Sequence, residues 1–383
     1  MRVALFSGNY NYLREGANQA LNRLVRFLED EEGHQVRVYS PVTNTPAFEP
    51  AGTLIPVPSI PLPVRSEFRL ALGLPRAIRA DIRRFAPDIV HLSTPDILGT
   101  RAQTFARKLG IAVIASQHTL FETYLDFYRL GWARPLVEAH LRRFYRRCDH
   151  VLAPTAALVD AMQRIRGDER ASLWSRGVDR ALFDPVRRDE AWRRSHGWSD
   201  SDVVVLFFGR LVAEKGVDRY ASTLQRLQRR NPAIRPLVVG AGPAADAFRA
   251  LPNAVLTGHL EGEQLARAVA SADILLHPST TESFGNVVLE AMASGLALVV
   301  AAAPSADALI EHGHTGISIP PDIPPDDVER YEQEIMALVD DPPRRRKLGA
   351  AARQKSEAFS WDNASRQAAE AYRQVIAAQH KQF

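Results

Sequence analysis

A chain of 383 residues, 46% hydrophobic and 24% charged, exceeds one ordinary core and has the composition of a soluble globular protein, so two domains are expected. Its longest uncharged apolar run, "GLALVVAAAP" at 295–304, is far short of the ~20 residues that span a bilayer. The opening "MRVALFSGNY" reads as a first strand and not as a secretory signal, so a cytoplasmic chain is expected. The net charge of +4 gathers in residues 1–190, where 27 Lys and Arg face 21 Asp and Glu; in the remainder 21 face 23. Nearly all of that positive charge is Arg, which suits bidentate contact with phosphates or a solvated basic surface, and no nucleic-acid partner is expected.

Short apolar runs alternate with helical patterns from the start. "RVALFS" (2–7), "QVRVYSP" (35–41), "DIVHLS" (88–93), "AVIASQH" (112–118) and "HVLAPT" (150–155) are near-continuously apolar, as parallel strands buried on both faces must be. Pro-rich pieces at 56–63 and 318–325 read as loops. The segment "LFETYLDFYRLGW" (120–132) concentrates Phe121, Tyr124, Tyr128 and Trp132. The helical pattern that follows it carries Arg142, Arg143, Arg146 and Arg147 opposite Val137, Leu141, Phe144 and Cys148. Aromatics beside a basic helix face suit docking on an anionic membrane; the alternative is an aromatic core with solvated arginines. Cys148, the only cysteine, is expected to be a buried filler.

The polar, turn-rich stretch 177–202 marks the domain boundary. Its Asp200–Ser201–Asp202 reads as a turn and not as a metal site. Beyond it, "VVVLFFG" (203–209), "PLVVGAG" (236–242), "AVLTG" (254–258), "ADILLHPS" (272–279) and "LALVVAA" (296–302) repeat the scheme, giving an α/β fold of two doubly wound, Rossmann-like domains. Open α/β sheets bind ligands outside the carboxyl ends of their strands, so the chemistry is expected in a cleft between the domains.

Two strand exits in the second half carry that chemistry. "TESFGNVVLEAMASG" (281–295) runs from a loop into a helix, with Ser283 available as its cap and the amides near Phe284, Gly285 and Asn286 forming an anion site. Glu282 and Glu290 stand eight residues apart, about 12 Å if the whole stretch is helical. That is wider than the ~5–9.5 Å of glycosidase carboxylate pairs. Two ends of one long ligand with a phosphate in its middle fit better, and a nucleotide sugar has that layout. "FFGRLVAEKGVD" (207–218) supplies Arg210 and Lys215, flanked by Gly209 and Gly216, as partners for a diphosphate; read singly, each is as readily an ordinary solvated strand exit. "VVGAGP", with Gly242, is a third glycine-bearing exit.

Together, "FFGRLVAEKGVD", "VVGAGP", "PSTTESFGNVVLEAMASGLALVV" and "HTGI" resemble the C-terminal domain of family 4 glycosyltransferases, retaining enzymes of the GT-B fold with an E-x7-E motif. "SQHTLFETYLDFY" (116–128) and "LWSRGVDRALFDP" (173–185) resemble the branch that builds glycolipids, among them glucosyl-, sulfoquinovosyl- and mannosyltransferases. The resemblance implies an acceptor-binding domain at 1–185, a nucleotide-sugar domain at 200–358, and a final helix at 359–383 packing back on the first. It implies that Glu282 contacts donor-sugar hydroxyls and Glu290 the ribose, that Arg210 and Lys215 hold the diphosphate, and that Val287 lies among the donor-binding residues. His118 would lie over the donor sugar and Gly16 would approach the diphosphate, although the chain reads "LREGANQA" where many members carry a Gly-Gly or Asn-Gly pair.

A double displacement needs a carboxylate beneath the anomeric carbon, and only Glu282 stands near enough; the resemblance gives Glu282 to the sugar hydroxyls instead, so a front-face transfer is expected, the leaving phosphate taking the acceptor proton, with His118 a base or a binding residue only. No cofactor and no metal are expected. The donor is GDP-mannose or a UDP-hexose and the acceptor a lipid or lipid-linked molecule at the cytoplasmic face of the inner membrane. A soluble or polysaccharide acceptor, a nucleotide-sugar epimerase or hydrolase, and a non-catalytic binder stay open as alternatives.

Overall fold

The structure is a computed structural model and describes residues 1–62, 67–119, 131–320 and 327–380. The chain divides into two compact units. The described residues up to Arg176, with those from Trp361 onward, form the first, and Gly177–Ser360 the second.

In the first unit the strands are β1 (Arg2–Phe6), β2 (Gln35–Ser40), β3 (Thr53–Pro56), β4 (Ser59–Pro61), β5 (Arg69–Ala71), β6 (Ile89–Leu92), β7 (Ala112–Ser116), β8 (His150–Ala153) and β9 (Ala171–Leu173). Seven of them make a parallel sheet in the order β3-β2-β1-β6-β7-β8-β9, with Val3 opposite both Val36 and Ile89. Side chains alternate across a strand, and here both faces are covered: Val3 and Leu5 join the core beneath helices Gly16–Asp30 and Trp361–His380, while Ala4 and Phe6 join the core on the other face. Each such fully buried Val, Leu or Phe contributes about 1.5–3 kcal/mol, which is why a five-residue strand holds its place.

The second unit repeats the plan with β10 (Val203–Phe208), β11 (Ile234–Val239), β12 (Val255–Gly258), β13 (Ile274–His277), β14 (Ala297–Ala301) and β15 (Ile317–Ile319), in the order β12-β11-β10-β13-β14-β15. Val203, Val205 and Phe207 pack into one core, and Val204, Leu206 and Phe208 into the other. The order reverses between β10 and β13, where Leu206 lies opposite Leu275. That reversal is the switch point at which a doubly wound sheet opens a crevice at its carboxyl edge.

Two differences from the sequence reading concern the Pro-rich segments. Within 56–63, Ser59–Pro61 pairs antiparallel with Arg69–Ala71, Ile60 facing Leu70, and the stretch 318–325 begins inside β15. Ser59–Pro61 and Ile317–Ile319 are short strands at the margin of their sheets, where Pro61 costs few ladder hydrogen bonds; position 63 and positions 321–325 lie outside the described residues.

Candidate active site

The residues singled out in the second half converge on the switch point. Strand β10 is buried throughout, so its exit must turn sharply, and it does so at Gly209 before half-buried Arg210. Leu211 N–H donates to the Ala241 carbonyl at 3.0 Å, and a Cβ on Gly242 would stand 2.3 Å from the Leu211 carbonyl oxygen. The β10 and β11 exits thus pack backbone to backbone. Gly242, read from sequence as a donor contact, owes its glycine to that approach.

A 3₁₀ turn over Ala213–Lys215 then crosses to the β13 exit, where the Ser279 and Thr281 hydroxyls donate to the Glu214 carbonyl at 3.3 and 3.2 Å. This fastening places Lys215 Nζ 2.6 Å from Glu282 Oε1, with their side chains only 15% and 18% exposed. His277, the last residue of β13 and itself buried, brings Nε2 within 3.3 Å of the same oxygen, in ion-pair reach but off the hydrogen-bond axis. Burial opposes ionisation of Glu282, yet the Lys215 charge and the His277 ring outweigh it and hold the carboxyl well below its usual range.

The helix after this loop spans Asn286–Ala293 and is capped by Gly285, whose φ of 93° lies in the region glycine favours and which offers no side chain to the first-turn amides. Ser283 is therefore not the cap, since two residues separate it from Asn286. Phe284 is buried with its ring 6.0 Å from that of Phe359, so it anchors the turn. Asn286, Val287 and Glu290 are half-buried on the helix. Because the helix begins only at Asn286, helical rise separates Glu290 from the helix start by about 6 Å, and the loop, not a helix, sets the position of Glu282.

In the first unit Gly16 opens helix Gly16–Asp30, with Glu15 before it giving no side-chain cap. His118 follows β7. Its Nε2 is 2.7 Å from Ser116 Oγ and its Nδ1 3.0 Å from Arg176 Nη2. Ser116 Oγ lies 2.7 Å from His91 Nε2, and His91 Nδ1 meets the Tyr372 hydroxyl. Burial first, then the Arg176 charge and His91, push the His118 pKa well below its ordinary value, and burial lowers His91 to about 3.

On the helix Arg134–Arg146, Leu141, Phe144 and Tyr145 are buried, while Trp132 in the turn before it and Leu136 within it are 75% and 70% exposed. Arg142, Arg143 and Arg146 are exposed and Arg147 is half-buried; Arg146 Nε donates to the Ile165 and Arg166 carbonyls, and Arg147 donates to Thr104 Oγ1 at 3.1 Å. Phe121, Tyr124 and Tyr128 lie outside the described residues. Cys148 is buried, its thiol pushed up to about 12. Asp202 accepts from Arg235 Nε at 2.9 Å and from the Ser199 amide, as a turn residue does.

His277, Ser116, His91, Arg176 and Tyr372 were not singled out in the sequence. The only signal for the two histidines was a polar residue inside an otherwise apolar strand, as in "IVHL" and "ILLH".

Comparison with known proteins places this arrangement. Among solved structures, a sucrose-phosphate synthase from Thermosynechococcus elongatus matches with a TM-score of 0.79 and 20% identity over 98% of this chain and 99% of its own. HepE from Anabaena, solved in complex with UDP-glucose, matches at 0.72 and 18% over 97% and 98%. The fold is that of the GT-B glycosyltransferases. The family model Glycosyltransferase Family 4 matches residues 14–182, and Glycosyl transferases group 1 matches residues 188–355. A GDP-mannose-dependent alpha-mannosyltransferase of Mycolicibacterium smegmatis is 34% identical over 94% of both chains. A sulfoquinovosyl transferase of Arabidopsis thaliana is 31% identical over 94% of this chain and 71% of its own. The chain belongs to glycosyltransferase family 4 and is a glycosyltransferase that uses a nucleotide sugar.

Proposed function

We propose that the protein transfers a hexose, with retention, from GDP-mannose or a UDP-hexose to a lipid or lipid-linked acceptor at the cytoplasmic face of the inner membrane. The observation that carries the reading is the Lys215–Glu282 pair at the β10/β13 switch point, beside a helix start whose N-cap, Gly285, has no side chain. The diphosphate takes Lys215 and Arg210 as charge partners, the first-turn amides of Asn286–Ala293 supply further donors, Glu282 turns to the sugar hydroxyls and Glu290 to the ribose. The bond from the anomeric carbon to the leaving phosphate oxygen breaks while the acceptor oxygen attacks from the same face, and that phosphate oxygen receives the acceptor proton. Arg210, Lys215 and the helix start stabilise the negative charge that grows there. These groups carry the compensation without a metal ion.

The lipid acceptor is supported by the glycolipid-type relatives, which include an alpha-monoglucosyldiacylglycerol synthase of Acholeplasma laidlawii at 25% identity. It is also supported by exposed Trp132 and Leu136 beside Arg142 and Arg143. No helix among the described residues is long and apolar enough to cross a membrane, so attachment would be peripheral. Incubating the protein with GDP-mannose, UDP-glucose and UDP-galactose in turn, with a crude lipid extract, tests the reading. A new glycolipid mass with matching donor loss is expected; donor loss with a soluble glycoside and no lipid product would overturn the acceptor assignment.

A further inference from the structure

The array around His118 has a direction. Arg176 is 3% exposed, and no carboxylate among the described residues is paired with it. Its Nη1 donates to the Trp174 and Ser175 carbonyls at 2.8 and 3.0 Å, and its guanidinium lies 4.7 Å from the Trp174 ring centroid. A guanidinium has five N–H donors and no acceptor. The contact from Arg176 Nη2 to His118 Nδ1 therefore requires a lone pair on Nδ1, and the ring proton must sit on Nε2.

That assignment propagates. His118 Nε2–H donates to Ser116 Oγ, and the single Ser116 proton is left to donate to His91 Nε2. His91 then carries its proton on Nδ1 and donates it to the Tyr372 oxygen. Among the described residues, each nitrogen of both rings has a partner of the right kind, and neither ring can take a second proton without breaking a buried hydrogen bond. The indole of Trp174 fixes the plane, its centroid 5.4 Å from that of His118 and 5.9 Å from that of His91, edge to face in both cases.

We propose that Arg176 is a positioning residue that fixes His118 as the neutral tautomer protonated on Nε2, making it an oriented ring that does not titrate and not the base that takes the acceptor proton. The mechanistic consequence rests on the reading of His118 as a residue at the transfer site; the tautomer itself does not. Among the described residues, the charged and titratable groups of the array are Arg176 after β9, His91 on β6 and, beyond His91, Tyr372 on the C-terminal helix. Burial lowers Arg176 only to about 9, so it remains a cation over the range where histidine titrates. Removing it deletes a positive charge and frees Nδ1, so the His118 pKa must rise.

The test is nitrogen NMR on the full-length protein labelled at histidine, with His118→Asn used to assign the signal. Wild-type His118 should show a protonated Nε2 and a bare Nδ1, both unchanged between pH 8 and pH 5.5. Arg176→Met should raise the His118 pKa toward the ordinary value of ~6.5, with burial and His91 still holding it lower, and Arg176→Lys, which keeps a cationic donor, should hold the tautomer. The pH profile of kcat/KM should gain an acid limb in Arg176→Met that wild type and Arg176→Lys lack. A wild-type His118 that titrates near 6.5 or carries its proton on Nδ1 overturns the proposal, and so does an Arg176→Met variant whose His118 keeps the wild-type tautomer and shows no rise in pKa. If Arg176→Met does not fold, the wild-type spectrum alone decides. Because the spectrum needs no substrate, a chain inactive with every donor would sink the functional reading and leave this one intact.

Discussion

Replacing Lys215 by Met separates what the Lys215–Glu282 pair does for the fold from what it does for the donor. Breaking a fully buried pair by deleting one partner costs about 3–5 kcal/mol. Here the side chains retain 15% and 18% exposure and His277 still faces Glu282, so the expected loss is about 2–3 kcal/mol. In a unit of this size that lowers Tm by roughly 4–12 °C. The pH dependence carries the sign. In wild type the Glu282 pKa is depressed, so its stabilising contribution is complete above the unfolded value near 4.5 and is lost only as pH falls through the lower folded value. In the variant burial becomes the leading influence and raises the pKa, so the carboxylate is destabilising at pH 7 and the penalty shrinks as it protonates. The gap in Tm between the two proteins should narrow from pH 7 to pH 4.5. Adding Glu282→Gln should restore most of the Tm without restoring the donor. Nucleotide-sugar affinity, measured by calorimetry, should fall about ten- to 150-fold in Lys215→Met and in Arg210→Ala, the equivalent of one charge-assisted contact of about 1.5–3 kcal/mol. A Lys215→Met protein with wild-type Tm and wild-type affinity would refute both the energetic and the functional role of the pair.

The two acids should divide their effects. Glu282→Ala is expected to abolish transfer while nucleotide still binds, and Glu290→Ala mainly to weaken nucleotide binding; calorimetry showing the opposite would mean the donor lies the other way along the helix. Transfer should survive excess chelator, because Arg210, Lys215 and the Asn286 helix start neutralise the diphosphate; loss restored by magnesium would overturn that. Co-sedimentation should be strong with anionic liposomes and weak with zwitterionic ones. Arg142→Gln with Arg143→Gln should reduce it, at about 1 kcal/mol per charge, whereas Arg146 and Arg147 are held by protein oxygens and should matter less. Equal sedimentation of the double variant would remove this face as the membrane contact.

What could be read from the sequence follows from how each residue is used. The central strands β1, β2, β6, β7 and β8, and β10, β11, β13 and β14, announce themselves because burial on both faces demands an apolar run; β12, half-buried at an edge, shows only the short run "AVLTG". The margins do not. β3 is half-exposed, β9 and β15 are three residues each, and the β4–β5 hairpin carries Pro61, so none needs or shows such a run. Arg210, Lys215, Glu282 and Glu290 were visible because strand exits beside Gly are local features, with charge and turn within a few residues of each other. Their partnerships were not, since the meaning of His91 depends on Tyr372, 281 residues away, and Lys215 reaches Glu282 from a 3₁₀ turn after another strand.

The same distinction explains why the sequence left the role of His118 open. A histidine at a strand end is equally a base, a ligand contact or a satisfied polar group until its neighbours are known, and its neighbours come from β6, from the residues after β9 and, through His91, from the C-terminal helix. Of these, Arg176 decides the matter: it lies in the quoted motif "LWSRGVDR", where it reads as one more arginine in a basic half, yet in the fold it is a buried cation whose donors can only point outward. One donor-only side chain sets the protons of His118, Ser116 and His91 in turn. Under the proposed function, a histidine fixed in this way leaves the leaving phosphate as the group to receive the acceptor proton.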